Sequence, residues 1–213
     1  MTPELVTTID AARQSAGFLT ISETLELASN GNKILDPFSV LISEGVKLGT
    51  GNTLYPGVTI LARKNAKIII GDSNLFQSST LIEAVDGDIV VGNKNQFGEG
   101  GFTAKTNQPG SRITVGNCGR YMNNPAIYGT TELQDGTQIL GSITAISCTL
   151  SGGSPYQEPI PDLRAGLLKG FGVAKNITVC QGQVICGQGS FHEEQALPQS
   201  AYHPNSASHS KRD

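Results

Sequence analysis

From Ile42 onward the apolar residues of the chain recur at every sixth position. Leu48 is followed by Leu54 and Ile60, Ile70 by Phe76 and Ile82, and Val91 by Phe97 and Thr103. The longest run passes from Val115 through Tyr121, Ile127, Leu133 and Ile139 to Ala145, and a later one links Val173, Val179 and Ile185. Thr103 alone in these runs is not apolar, in a chain that is 38% apolar. Neither the alternation of a half-buried strand nor a helical period of about 3.6 fits this pattern. A six-residue period describes a short strand, a corner and the next strand. Three such sides close a triangular coil of about 18 residues, and stacked coils bury their leading residues in one continuous prism.

The same phrase opens four coils: "LGTGN" at Leu48, "IGDSN" at Ile70, "VGNKN" at Val91 and "VGNCG" at Val115. The glycine after each leader suits a close-packed corner. Asn52, Asn74 and Asn95 stand at the fifth place, where asparagine tolerates a left-handed backbone and stacks into ladders. Successive phrases are 22, 21 and 24 residues apart, so each coil carries a few residues beyond the basic ~18. The extra residues fall in Leu61–Lys67, Ala84–Asp88 and Lys105–Ser111, and so bulge from one edge of the prism.

The pattern divides the chain into three parts. Residues 1–35 form a lead-in or cap, with one short helix suggested by Thr2, Pro3 and the helical spacing of Leu5, Ile9 and Ala12. Residues 36–189 form the β-helix, interrupted by the Pro- and Gly-rich insertion Ser151–Gly166. Residues 190–213 are polar and aperiodic and read as a loose tail.

Composition narrows the function classes. A net charge of −3 and an isoelectric point near 5.6 leave no general footprint for nucleic acid or an anionic membrane. No apolar run approaches the ~20 residues of a membrane span, and the first residues lack the basic start and apolar stretch of a signal peptide. Cys118, Cys148, Cys180 and Cys186 are scattered without a CxxC pair, which suits reduced thiols rather than a disulfide framework or a structural zinc site. Cys180 and Cys186, six apart, fall on adjacent sides as small filler residues. Glu83, Asp86 and Asp88 gather in one loop as a solvated edge. Arg63, Lys64 and Lys67 make a small basic patch on the loop before it.

The stretches "GTGNTLYPGVTILARKNAKIIIGDSNLFQSSTLIEA" and "VGNKNQFGEGG" resemble the hexapeptide-repeat, left-handed parallel β-helix superfamily, over about Asp36 to Gly189. Within it they look most like the smaller β-helical pointed-end subunit of dynactin, with "NLFQ" (Asn74–Gln77) and "KNQFG" (Lys94–Gly98) at matching places and an "ALPQSAYHP" ending. The resemblance implies an all-β, single-stranded left-handed β-helix. It further implies a non-catalytic scaffold subunit of a cytoplasmic, cytoskeleton-associated complex, docking beside another β-helical subunit and dynactin-type pointed-end proteins. The alternative within the superfamily is an acyl- or nucleotidyltransferase working as a homotrimer. Carbonic anhydrases of the superfamily bind zinc through three histidines, and its acyltransferases use a coil histidine as general base. The histidines of this chain, His192, His203 and His209, all follow Phe191. His192, directly after the last coil, is the one candidate base. The expectation is therefore no catalytic, cofactor-binding or metal-binding residue within the coils.

Overall fold

A computed structural model describes residues 2–63 and 65–203. Its strands wind into a three-sided, left-handed parallel β-helix. The first face stacks Lys33–Ile34, Thr53–Leu54, Leu75–Phe76, Gln96–Gly98, Arg120–Met122 and Gln138–Leu140. The second stacks Leu41–Ile42, Thr59–Ala62, Thr80–Ala84, Phe102–Thr106, Ala126–Tyr128 and Ile143–Ile146. The third runs from Val46–Leu48 through Ile68–Ile70, Asp88–Val91, Arg112–Val115, Thr131–Leu133 and Thr149–Leu150 to Thr178–Val179. Two nine-residue strands, Leu167–Lys175 and Gln183–Phe191, turn from the first face into the second and complete both. The coils thus begin at Lys33 and close at Phe191, slightly beyond the hexad boundaries at either end.

The hexad leaders point inward as their spacing requires. Leu54, Ile60, Phe76, Ile82, Phe97, Tyr121, Ile127, Leu133 and Ile139 have no solvent exposure. The parallel ladder puts like residues above like, so the first face carries an aromatic column. Phe76 and Phe97 stack with centroids 5.0 Å apart, and Phe97 and Tyr121 at 5.3 Å. Two leaders are misassigned by the strict six-step. Ala104, not Thr103, is buried, because the left-handed run Gly98–Gly101 adds a residue to the corner before it. Ala174, not Val173, faces inward, because the next corner takes five residues rather than six to reach Val179. Val173 is 44% exposed on the outer surface.

The lower end is closed by two helices rather than one. Helix α1 (Pro3–Ser15) starts on Pro3, and α2 (Ile21–Ser29) starts on a capping box in which Thr20 and Glu23 satisfy each other's backbone N–H groups. The buried side chain of α1 is Arg13, while Leu5 is half exposed. Arg13 donates from Nε to the Leu19 carbonyl at 2.6 Å, and from its Nη atoms to the Pro37 and Val40 carbonyls and Thr24 Oγ1 at 3.0, 2.9 and 3.0 Å. One guanidinium thus ties both helices to the first coil. Burial lowers its pKa, an effect opposed by the nearby Asp10.

The insertion after Leu150 leaves the ladder but is folded. Ser154 bridges Arg164, Pro161–Leu163 makes a 3-10 turn, and Tyr156 lies 4.9 Å from the Arg120 guanidinium. The segment after Phe191, read from composition as a loose tail, is held as far as Tyr202. Leu197–Pro198 pairs antiparallel with Gln183–Val184, and the buried Gln199 donates to the Ala165 carbonyl at 2.7 Å. The Ser200 N–H donates to Asp162, tying this segment to the insertion. The remainder of the expected tail, with His209, lies outside the described residues.

Candidate functional site

The corner between the third and first faces shows how the repeated phrase works. Asn52, Asn74 and Asn95 stack above Asn32 as a buried column. Each Nδ2 donates to the Oδ1 of the asparagine one coil below, at 3.0–3.1 Å, and to the carbonyl of Gly71, Gly92 or Gly116 in the coil above. The left-handed residues are not these asparagines but their predecessors, Gly51, Ser73 and Lys94, and likewise Cys118 before Gly119 in the coil above. The column stops at Gly119, where a Cβ would lie 2.3 Å from the Tyr121 hydroxyl. That hydroxyl enters the vacated space, 2.9 Å from Thr137 Oγ1, and burial raises its pKa well above the usual tyrosine value.

A second column runs outside the same corner and was not anticipated. Asp72, Asn93, Asn117 and Asp135 stand directly after the phrase glycine or at its equivalent. Each Oδ1 accepts the backbone N–H of the column residue one coil below, with Thr50 at the bottom. The polar residue recurring after glycine was the available signal. Both columns are structural, and neither collects an unpaired reactive group.

The three loops do lie along one edge, between the second and third faces. Backbone bonds join Arg63 to Ala84, Val85 to Thr106 and Asp88 to Ser111 in neighbouring coils. Glu83 sits between two cations, 2.6 Å from Lys105 and 3.2 Å from Arg63. Its pKa is lowered chiefly by the Lys105 hydrogen bond and further by Arg63. Asp88 accepts the backbone N–H of Lys67 at 2.9 Å. Glu83 and Asp88 are therefore engaged in ion pairs and a backbone hydrogen bond. Of the basic patch, Arg63 is engaged with Glu83, Lys67 is exposed, and Lys64 lies outside the described residues.

The cysteines are dispersed. Cys148 is buried, hydrogen-bonded to the Ala174 and Ile146 carbonyls, and its pKa is raised by burial. Cys118 is half-buried in its corner. Cys180 and Cys186 are exposed, which corrects their reading as filler: each follows an inward leader and so points outward. His192 and His203 are both exposed. His192 lines a hollow of about 370 Å³ with Lys175, Ile177, Phe191, Glu193 and Glu194. Among the described residues no three histidine, cysteine or acidic side chains gather as a metal site, and no helix is long and apolar enough to cross a membrane.

The outside of the second face carries an uncharged strip. Register places Leu41, Thr59, Leu81, Thr103, Ala126, Thr144 and Val173 in one column across seven coils. All seven are uncharged and at least partly exposed. At roughly 4.8 Å per strand the column is about 30 Å tall. The corresponding column of the third face includes Lys47 and Glu132, and that of the first face includes Lys33 and Arg120.

No protein-family model matches the sequence, and no curated protein matches it. Among solved structures the chain is similar to LpxA, a UDP-N-acetylglucosamine acyltransferase from Bacteroides fragilis 9343, at 17% identity and a TM-score of 0.32. The match covers 79% of this chain and 60% of that one, so the chain spans less than two thirds of that enzyme. A likeness at this level assigns no activity. The β-helix rests on the strand ladders themselves.

Proposed function

We propose that the chain is a non-catalytic docking subunit, which associates by laying the uncharged column on the second face of its prism against another β-helix. The observation that carries this reading is the column from Leu41 to Val173. A sheet face already ordered in the free protein loses little conformational entropy on docking. An uncharged strip sheds water without leaving buried charges unpaired. A second prism repeats the same strand spacing, so the two surfaces match coil for coil. The loops Leu61–Lys67, Ala84–Asp88 and Lys105–Ser111 border the strip and would fix its register. The sequence resemblance extends the proposal to a dynactin-like complex, with a second β-helical subunit and pointed-end proteins as partners.

A second reading, a hexapeptide-repeat transferase acting as a homotrimer, is favoured by one observation. His192 shares its hollow with two carboxylates and Lys175, the setting in which a histidine could serve as general base. Sedimentation of the purified chain separates the readings. The docking reading expects a monomer that forms a stoichiometric complex with a different β-helical subunit, abolished by Thr103→Lys with Ala126→Lys while the thermal melt is retained. A stable homotrimer that binds an acyl or nucleotide cofactor, with turnover lost in His192→Ala, would replace it with the transferase reading.

A further inference from the structure

The last coil ends in a bare stretch of backbone. Strand Gln183–Phe191 is paired along its lower edge with Leu167–Lys175. On its upper edge Leu197–Pro198 covers Gln183 and Val184 and goes no further. From Cys186 to Ser190 no described residue pairs above it, and Cys186, Gln188, Gly189 and Ser190 are exposed. An uncovered strand edge is a template for another strand, and proteins usually blunt it with charge, proline or a covering segment. The stretch "CGQGS" has neither charge nor proline. The lower end is treated differently: Phe18 bridges Ser43, and the Leu19 N–H donates to the Ile42 carbonyl at 2.8 Å.

The glycines at this corner show what would fit. Gly141, Gly170 and Gly187 stand one above another, and Gly172 lies beneath Gly189. A Cβ on Gly141 would lie 1.8 Å from the Gly170 carbonyl oxygen, one on Gly170 1.9 Å from that of Gly187, and one on Gly172 1.9 Å from that of Gly189. In each case the missing side chain is the space taken by the carbonyl of the coil above. Over Gly187 and Gly189 the same space is open, with no atom within 4 Å. The backbone of Gly189, at φ +81°, accounts for its identity. Gly187 has no left-handed φ and no close neighbour, so nothing among the described residues requires glycine there.

We infer that the edge Cys186–Ser190 receives one additional strand, supplied by an extended, uncharged Gly-x-Gly segment of a partner protein, whose backbone fills the space over Gly187. The coil below turns this corner on Gly170 and Gly172 with φ of +123° and +137°. That region is closed to side chains, so a segment that repeats the backbone of Gly170 and Gly172 needs glycine at both places. A single strand fits where a second prism does not. Ala196 packs onto the core as the chain crosses the upper mouth, and this crossing obstructs end-to-end stacking of another copy. The lower end of a copy is already covered by Phe18 and Leu19. The edge meets the second-face column only at Ser190, which is in register with Val173, and the inference does not depend on the docking reading.

The test uses a fluorescent synthetic peptide copying Gln183–Phe191 with serine in place of Cys186, titrated into the full chain and followed by anisotropy. Saturable binding is expected, together with slowed amide exchange confined to Cys186–Ser190. Gly187→Ala is the decisive variant. Its methyl enters open space, so its thermal melt should match the wild type, yet it should weaken the peptide at least tenfold. Absence of binding, or equal binding by Gly187→Ala, overturns the inference. Self-association of the wild type that disappears in Gly187→Ala overturns it too, since the occupant is then a second copy.

Discussion

Two columns of side chains climb the same corner of this prism, built from the same residue types and a few ångströms apart. Asn52, Asn74 and Asn95 are buried, whereas Asp72, Asn93 and Asp135 are exposed. Both columns use a side-chain oxygen to accept backbone N–H groups of a neighbouring coil, at 2.6–3.0 Å. The hydrogen bonds look alike, but their alternatives do not. An outer group that loses its partner finds water, while an inner one is left bare. The difference teaches that coil register is specified from inside, by the asparagine and aromatic columns together, and that the outer columns trim it.

The largest effect should come from the aromatic column beside the asparagines. Phe76→Ala removes a fully buried ring stacked on Phe97. The coils above and below are fixed by their own ladders and collapse little into the gap. A loss of about 3–5 kcal/mol is expected in denaturant unfolding. A loss under ~1 kcal/mol would mean that the column is not the core.

Asn74→Ala comes next. It strips the acceptor from the Asn95 N–H and side chain, and a donor from the Gly92 carbonyl. Each buried group left bare costs roughly 1–3 kcal/mol. Amide exchange should quicken at Asn95 and around Gly92 before it does in distant coils. Asn93→Ala removes the matching bonds outside, from Asp72 and to Asn117. It should cost about 0.5 kcal/mol or less, as exposed substitutions do. Equal losses from the two alanines, measured in the same unfolding experiment, would defeat the distinction between the columns.

The inner columns were largely legible in the sequence, because a parallel coil writes its interior at a fixed interval. The errors arose where corners vary in length. The Gly98–Gly101 run moved the inward position from Thr103 to Ala104, and a shorter corner moved another from Val173 to Ala174. The capping box of α2 is also written in the sequence, as Thr20 to Glu23, with Ile21, Leu25 and Ala28 at helical spacing. The order of the segment up to Tyr202 was hidden for a different reason. Its anchors are polar: Gln199 to the Ala165 carbonyl, and the Ser200 N–H to Asp162. The uncharged second-face column was also illegible, because its seven members become neighbours only when the register of every coil is known.

A similarly small effect belongs to the outer ion pairs, and its sign is fixed by chemistry. Lys105 and Arg63 hold Glu83 in its ionised form and lower its pKa in the folded protein. A carboxylate with a depressed folded pKa binds fewer protons folded than unfolded. Its contribution is therefore fully present above the unfolded value of about 4.3, and is lost as pH falls through the lower folded value. The Arg63 side chain is 51% exposed and that of Lys105 32%. Solvent screening should then hold the contribution to under about 1 kcal/mol. Glu83→Gln keeps the shape and removes the charge. Urea unfolding of the variant at neutral pH should show a deficit of that size, and the deficit should shrink as both proteins are acidified below the folded pKa. Added salt should shrink it at neutral pH as well, since these charges lie at the surface. A deficit that is insensitive to both acid and salt would place the role of Glu83 in packing rather than charge, and would make these outer pairs resemble the inner columns.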